Sequence, residues 1–344
     1  SYGGRAYVAS YDLGACTSFP CEIDATTDAD LNWRFFYQPP NGELFPAEYA
    51  AWGQMLIDTC GIGMIEGIDA CDVPEDILRW DWAGNPGTYN EKTGMPFNAG
   101  VSNIWGQIVI DEENGKIFFG TAQPGPDFNH TYTRGPRLFG SAVVALNSDD
   151  GSLAWYFQST TKDLWDMDCS WGGALRNIGS QEIYIASCKN GIVYGLNSAT
   201  GEPIWIIDPK SIARNMQGWN YGGDSSLGQS GNGGAQVVGP DACCDITFAH
   251  MNKDWMNQNS PDCAAGESNS CTGIAVGPNA WAHIESDMAI DDKHIYMGVQ
   301  NSPRRFQIKP VTDFGNQGST IEQVEPKNST IHAFDWRTGE EVWS

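Results

Sequence analysis

The sequence predicts an all-β fold assembled from repeated antiparallel units. Three observations support this: the composition, a hairpin motif that recurs with fixed spacing, and a second strand-turn-strand pattern. Of the 344 residues, 40 are Gly, 18 are Pro and 14 are Trp, while helical tracts rich in Ala, Leu, Lys and Glu are few. Such a composition is typical of many short strands joined by tight turns.

The hairpin motif is a run of small and apolar residues, then Asn or Asp, then Gly four positions later and Trp four positions after that. Each copy predicts a strand, a turn whose Gly takes a positive φ, and a returning strand with an aromatic anchor. The copies are residues 143–147 with Gly151 and Trp155, residues 192–197 with Gly201 and Trp205, and residues 331–335 with Gly339 and Trp343. We expect the three Trp side chains to be buried at equivalent positions, each packed over its own Gly turn.

The spacing of these copies favours a β-propeller. Gly151 and Gly201 lie 50 positions apart, which fits one four-stranded blade. Gly339 follows 138 positions later, which leaves room for about two more units with insertions. A degraded copy opens the chain at residues 6–12 and ends at Trp33.

A second pattern joins an apolar strand, a short polar turn and an apolar-aromatic strand. It occurs at residues 105–111 with 116–120, and at residues 286–291 with 294–298. We interpret both pairs as inner strands of the same blades. The whole chain, 1–344, is then one propeller domain, expected to be part of a longer chain, with irregular insertions at about 39–103 and 208–280.

The ten cysteines form an even set without the C-x-x-C spacing of zinc sites, so they predict disulfides and an oxidising compartment, extracellular or periplasmic. Short loops favour three pairings, and a fourth pair flanks candidate site residues. These are Cys16–Cys21, Cys60–Cys71, Cys263–Cys271 and Cys169–Cys188. Cys243 and Cys244 form either a vicinal disulfide or two separate bridges.

The charge balance excludes two classes of partner. A net charge of −24 would repel nucleic acid and anionic membrane surfaces, and no apolar run approaches the ~20 residues that span a bilayer. The acidity is interpreted as a solvated surface, with the binding of several cations as the alternative. Sequons at residues 129–131 and 328–330 agree with an exported glycoprotein.

Four local segments carry a resemblance to a known family. They are residues 103–106 (NIWG), 119–123 (FGTAQ), 160–168 (TTKDLWDMD) and 188–191 (CKNG). With the Trp motifs, they resemble the pyrroloquinoline quinone (PQQ) dependent alcohol and methanol dehydrogenases, whose fold is an eight-bladed propeller with the quinone at its axis. The resemblance covers roughly residues 5–37, 100–207 and 279–301, and it implies an incomplete propeller here.

The resemblance implies roles for individual residues. Trp105 falls where the family stacks a Trp on the quinone, and Lys189 where a basic residue hydrogen-bonds the quinone oxygens. Asp166 matches the catalytic carboxylate, which takes the alcohol proton as hydride leaves. Asp166, Asp168 and Gln123 match ligands of a calcium or lanthanide ion. We expect Asp166 and Asp168 to face the propeller axis and share that cation.

Two departures from the family concern the metal. Gln123 stands where the family has Asn, so its amide oxygen lies one methylene further out. The family's ligand Glu would fall at or just before Ser1, and the family's adjacent cysteines precede this part of the chain. Cys243 and Cys244 instead follow Asp166.

Two functions of different class follow. The first is a quinoprotein that oxidises a small alcohol or aldehyde and passes electrons to an external acceptor such as a cytochrome. The alternative is a catalytically inactive extracellular propeller for structure, adhesion or filament assembly, with homo-oligomers left open. A glycosidase using Asp166 and Asp168 is disfavoured, because two residues on one loop give no control over carboxylate separation.

Overall fold

The computed structural model describes thirteen parts of the chain. They are residues 7–12, 30–37, 46–58, 63–65, 104–123, 138–160, 167–207, 209, 273–278, 283–301, 303–308, 318–323 and 327–344. Within these parts the structure is almost entirely β. The predicted pairs Cys16–Cys21, Cys60–Cys71 and Cys263–Cys271, together with Cys243 and Cys244, lie outside the described residues.

The strands form three four-stranded antiparallel units, which we call the first, second and third blades. The first blade is β4 (Val109–Asp111), β5 (Lys116–Gly120), β6 (Ala142–Asn147) and β7 (Leu153–Gln158). The second is β8 (Ala174–Ile178), β9 (Gln181–Ser187), β10 (Val193–Asn197) and β11 (Pro203–Ile207). The third is β13 (Ala289–Ile290), β14 (His294–Asn301), β17 (Asn328–Asp335) and β18 (Glu341–Trp343). The two predicted strand pairs are thus β4–β5 and β13–β14, as expected.

Further elements surround the blades. Strands β1 (Tyr7–Asp12) and β2 (Asp30–Phe36) pair ahead of the first blade. Strands β12 (Gly273–Pro278), β15 (Pro303–Ile308) and β16 (Gly318–Gln323) form a separate three-stranded sheet, of which β15 and β16 lie between β14 and β17 in the chain. The sequence pattern did not predict this sheet.

The insertion at 39–103 is not wholly irregular, which corrects the expectation. It contains α1 (Pro46–Asp58) and β3 (Gly63–Ile65), which pairs in parallel with β7 as a fifth strand of the first sheet. The helix starts at a Pro, whose fixed φ suits a first helical position. Trp52 attaches the helix, because its side chain is buried and its Nε1 donates to the Phe36 carbonyl oxygen at 3.0 Å.

The three Gly turns have one geometry. In each, the Gly N–H donates to the carbonyl oxygen of the Asn or Asp four positions earlier, at 2.8–2.9 Å. The φ angles of Gly151, Gly201 and Gly339 are 70°, 77° and 74°, a region that Gly enters without a steric penalty. The repeat read from the sequence therefore corresponds to one repeated hairpin.

The Trp side chains dock across blades, which corrects the expected packing. Trp155 of the first blade lies against Gly201 of the second, and Trp205 of the second lies against Gly339 of the third. Trp33 docks in the same way on Gly151. Each Trp therefore covers the turn of the following unit and not its own. Trp343 is 50% exposed, so its expected burial is wrong.

The core consists of the apolar layers between neighbouring units. Phe118 of the first blade stacks on Tyr184 of the second, with ring centroids 4.7 Å apart. Ile185 of the second blade and Met297 of the third belong to the next layer. Because the second and third blades share this layer directly, the prediction of about two units between them is wrong.

Candidate active site beside Lys189

Three segments at the ends of strands meet at the candidate site. Residues 121–123 follow β5, residues 167–170 precede β8, and residues 188–190 follow β9. The Cys169 N–H donates to the Thr121 carbonyl oxygen at 3.0 Å, and the Lys189 N–H donates to the Asp168 carbonyl oxygen at 2.7 Å. Backbone bonds therefore fix the three segments side by side.

Two glycines permit this close approach. A Cβ atom on Gly106 would collide with the backbone of Ser170, and one on Gly120 would collide with the backbone of Cys169. Any other residue at either position would push the 167–170 segment away from the first blade. Close packing of the backbone therefore explains why the NIWG and FGTAQ segments have Gly at these two positions.

A disulfide joins two of the segments, as predicted. Cys169 and Cys188 are bonded, with Cα atoms 4.2 Å apart, and both side chains are buried. Asp168 precedes one cysteine and Lys189 follows the other. The bridge therefore fixes the backbone beside both charged residues. A buried disulfide also agrees with an oxidising compartment.

The structure pairs Asp168 with Lys189, a contact that the sequence did not predict. Lys189 Nζ lies 3.2 Å from Asp168 Oδ2, and both side chains are almost completely buried. The other oxygen, Asp168 Oδ1, accepts the Gln123 backbone N–H at 2.7 Å. Since a buried charge requires compensation, this ion pair accounts for the burial of both groups.

A second carboxylate reaches the same ammonium group. Glu285, which lies just before β13 of the third blade, has its Oε1 3.3 Å from Lys189 Nζ. Its side chain is 26% exposed, unlike that of Asp168. Sequence reasoning missed Glu285, because the residues that follow it predicted only a strand pair.

Trp105 precedes β4 and lies next to the 167–170 segment. Its backbone N–H donates to Ser170 Oγ at 3.1 Å, which ties it to the segment that carries Asp168. Its side chain is 51% exposed, and Trp171 contacts it edge-on, with centroids 6.1 Å apart and planes 60° apart. An exposed indole held by its backbone is a suitable surface for a flat ligand.

The predicted site residues are thus partly assembled. Trp105, Gln123, Asp168 and Lys189 lie on the adjoining segments, whereas Asp166 lies outside the described residues. Among the described residues, no group of three or more His, Cys, Asp or Glu side chains is arranged to hold a metal ion. The proposed cation shared by Asp166 and Asp168 stays a prediction.

Comparison with known proteins supports the same family. The profile "PQQ: Glucose/ethanol/alcohol dehydrogenase, beta-propeller domain" matches residues 53–219. The quinoprotein alcohol dehydrogenase PedH of Pseudomonas putida is 30% identical over 321 residues, which is 89% of this chain and 46% of that protein. Together, the family model and the relatives support a PQQ-dependent alcohol dehydrogenase-like family for this chain. The chain spans less than half the length of that relative.

Other relatives extend the comparison. A second relative is the dehydrogenase subunit of the alcohol dehydrogenase (quinone) of Gluconacetobacter polyoxogenes. It is 25% identical over 295 residues, which is 74% of this chain and 36% of that subunit. Among solved structures, the quinohemoprotein alcohol dehydrogenase ADHIIG of Pseudomonas putida HK5 matches with a TM-score of 0.58 and 16% identity, over 98% of this chain and 42% of that one. A europium-containing methanol dehydrogenase matches with a TM-score of 0.53. The structural matches support the propeller-type fold.

Proposed function

We propose that the chain is part of a quinoprotein that oxidises a small alcohol or aldehyde with bound PQQ. One observation carries the proposal: the nearly buried Lys189 ammonium group and the half-exposed Trp105 indole lie on adjoining segments. A cation and a flat aromatic surface are the two features that an anionic planar quinone requires.

The residues present fit this cofactor. Lys189 would hydrogen-bond the quinone oxygens and stabilise charge on the reduced ring, while Trp105 would stack on the ring. When bound, the quinone supplies the hydride acceptor for the alcohol carbon. Asp166 would accept the alcohol proton, and the Cys169–Cys188 bridge would keep Lys189 in position.

We propose a bound calcium or lanthanide ion only if Asp166 is one of its ligands. The other two proposed ligands have different contacts in the structure. Asp168 Oδ2 is paired with the Lys189 ammonium group at 3.2 Å, and the Gln123 backbone N–H donates to Asp168 Oδ1. Metal analysis of the purified protein tests whether the ion is bound.

The setting of the protein is also proposed. The buried disulfide favours an extracellular or periplasmic location. The electron acceptor proposed from the family resemblance is a cytochrome. No helix among the described residues is long and apolar enough to cross a membrane. Asn328, exposed at the start of β17, is the proposed glycan acceptor.

Reconstitution tests the function. The purified protein is mixed with PQQ and either Ca²⁺ or a lanthanide ion, and we measure quinone absorbance, metal content and alcohol-dependent reduction of an electron-accepting dye. We expect dye reduction in the wild type, its loss in D166N with unchanged circular dichroism, and weaker quinone binding in K189A. A wild-type protein that binds neither quinone nor metal would favour the inactive structural propeller instead.

A further inference from the structure

Lys189 lies between two carboxylates of unequal character. Its Nζ is 3.2 Å from Asp168 Oδ2 and 3.3 Å from Glu285 Oε1. One positive charge therefore faces two negative charges, and Asp168 alone is sufficient to neutralise it. Glu285 adds a second negative charge at a position that is still in contact with solvent.

Asp168 is the fixed partner. Its side chain is 2% exposed, its Oδ1 accepts the Gln123 N–H, and its own carbonyl oxygen accepts the Lys189 N–H. The adjacent disulfide joins the two chain segments on which Asp168 and Lys189 lie. Removing Asp168 would leave the ammonium group without its buried counter-charge, which is costly.

Glu285 is the exchangeable partner. It comes from the segment that leads into the third blade, and its side chain is 26% exposed. Among the described residues, its carboxylate forms one ion pair, with Lys189. A partly exposed ion pair on a long side chain is weak, because water screens the charges and holding the side chain costs entropy.

We propose that Glu285 is a counter-ion that an incoming anion must displace: its carboxylate occupies the position on Lys189 that the oxygens of an anionic quinone would take. The inference rests on the proposed function for the identity of that anion, PQQ. Glu285 is then a specificity-determining residue. It neutralises Lys189 when no ligand is bound, and its negative charge disfavours weaker anions at the same place.

Quinone binding provides the first test, measured by equilibrium dialysis of PQQ against wild type, E285Q, D168N and the control E340Q. Glu340 is an exposed carboxylate of the third blade, so E340Q removes the same charge away from Lys189. We expect E285Q to bind PQQ about fivefold more tightly, the scale of one partly exposed ion pair. D168N is the contrasting variant: it should unfold at lower urea concentration than wild type and E285Q, because Lys189 loses its buried counter-charge. Equal or weaker binding by E285Q than by E340Q would overturn the inference while leaving the proposed function intact.

A second measurement does not depend on the cofactor. Acylation of Lys189 by acetic anhydride is followed by peptide mass spectrometry in wild type, E285Q and E340Q. We expect the modification rate to rise about threefold or more in E285Q and to stay at the wild-type value in E340Q, because the outer partner of the amine is gone. An unchanged rate in E285Q contradicts the exchangeable role of Glu285. Failure of the wild type to bind PQQ, with the faster acylation retained, would contradict only the quinone as the ligand.

Discussion

The same Trp motif forms two interfaces, one between the first and second blades and one between the second and third. The Trp side chain is more closely packed in the first interface than in the second. Trp155 is 1% exposed, its Nε1 donates to the Ser198 carbonyl oxygen at 2.8 Å, and a Cβ atom on Gly201 would lie 2.6 Å from its ring. Trp205 is 9% exposed, a Cβ atom on Gly339 would lie 3.3 Å from it, and its Nε1 has no hydrogen-bond partner in the described part of the chain.

The motif occurs in both interfaces, but the tightness of the Trp docking differs with the length of chain that separates the two blades. In both cases the Trp indole lies over the Gly turn of the next blade. The tighter contact occurs where the two blades follow each other directly in the chain. Between the second and third blades, residues 208–288 intervene, and the docking is looser.

The largest expected effect is the truncation of Trp155. W155A should lower the free energy of unfolding by about 4 kcal/mol, because a large buried side chain is lost. W205A should cost about 1 kcal/mol less, since its site is less enclosed and loses no hydrogen bond of the indole. Urea unfolding followed by circular dichroism measures both. Equal losses would contradict the distinction between the two interfaces.

The Gly turns give the second comparison. G201A should cost about 3 kcal/mol, because the new methyl group meets the Trp155 ring and the φ of 77° is unfavourable for Ala. G339A should cost about 1–2 kcal/mol, mainly for its φ. G179A is the matched control, because its φ is 64° and nothing lies within 4 Å of an added Cβ atom. If G201A behaved like G179A in thermal unfolding, the close docking of Trp155 would be wrong.

Replacing each Trp with Phe separates the hydrogen bond from the packing. W155F and W205F remove a similar apolar area, but only W155F also removes a hydrogen bond, the one to Ser198. W155F should therefore be less stable than W205F by about 1 kcal/mol relative to their parent. Denaturant midpoints of the two variants decide this, and a reversed order would show that the Trp205 indole N–H is the one that is bonded.

The smallest effect concerns a carboxylate pair at the first interface. Burial raises the pKa of Glu182 of the second blade, and the nearby Asp111 of the first blade adds to the shift. The folded state then holds the proton more tightly than the unfolded state, so this contribution to stability is lost as the pH rises through the raised pKa. E182Q should be more stable than wild type at pH 7 by about 0.5 kcal/mol, with no difference near pH 4. E340Q serves as the control, and a gain that persists at low pH would exclude this explanation.

The sequence predicted the repeated elements of the fold but not the contacts between neighbouring blades. The Asx, Gly and Trp spacing predicted three equivalent hairpins, and the even cysteine count led to the Cys169–Cys188 pair. The direction of Trp docking was not accessible, because spacing along one chain segment does not tell which blade lies beneath the indole. The position of the third blade was also missed, since insertion length hides spatial adjacency.

The site shows the same division. Trp105, Gln123, Asp168 and Lys189 were proposed from local motifs, and they lie on adjoining segments of the structure. Their roles stay predictions. The ion pair of Lys189 with Asp168, and the second one with Glu285, depend on contacts between distant parts of the chain. Local motifs pointed to Lys189 and Asp168 one by one, but a single sequence carries no signal for which side chains pair across distant segments.

The most direct test of the account is a crystal structure of the protein with bound PQQ. We predict a quinone ring stacked within about 4 Å of the Trp105 indole, the usual separation of packed carbon atoms. We also predict a quinone oxygen within hydrogen-bond distance of Lys189 Nζ, with Asp168 still paired and Glu285 displaced. PQQ bound at a different place, with Lys189 still held between Asp168 and Glu285, would contradict the account.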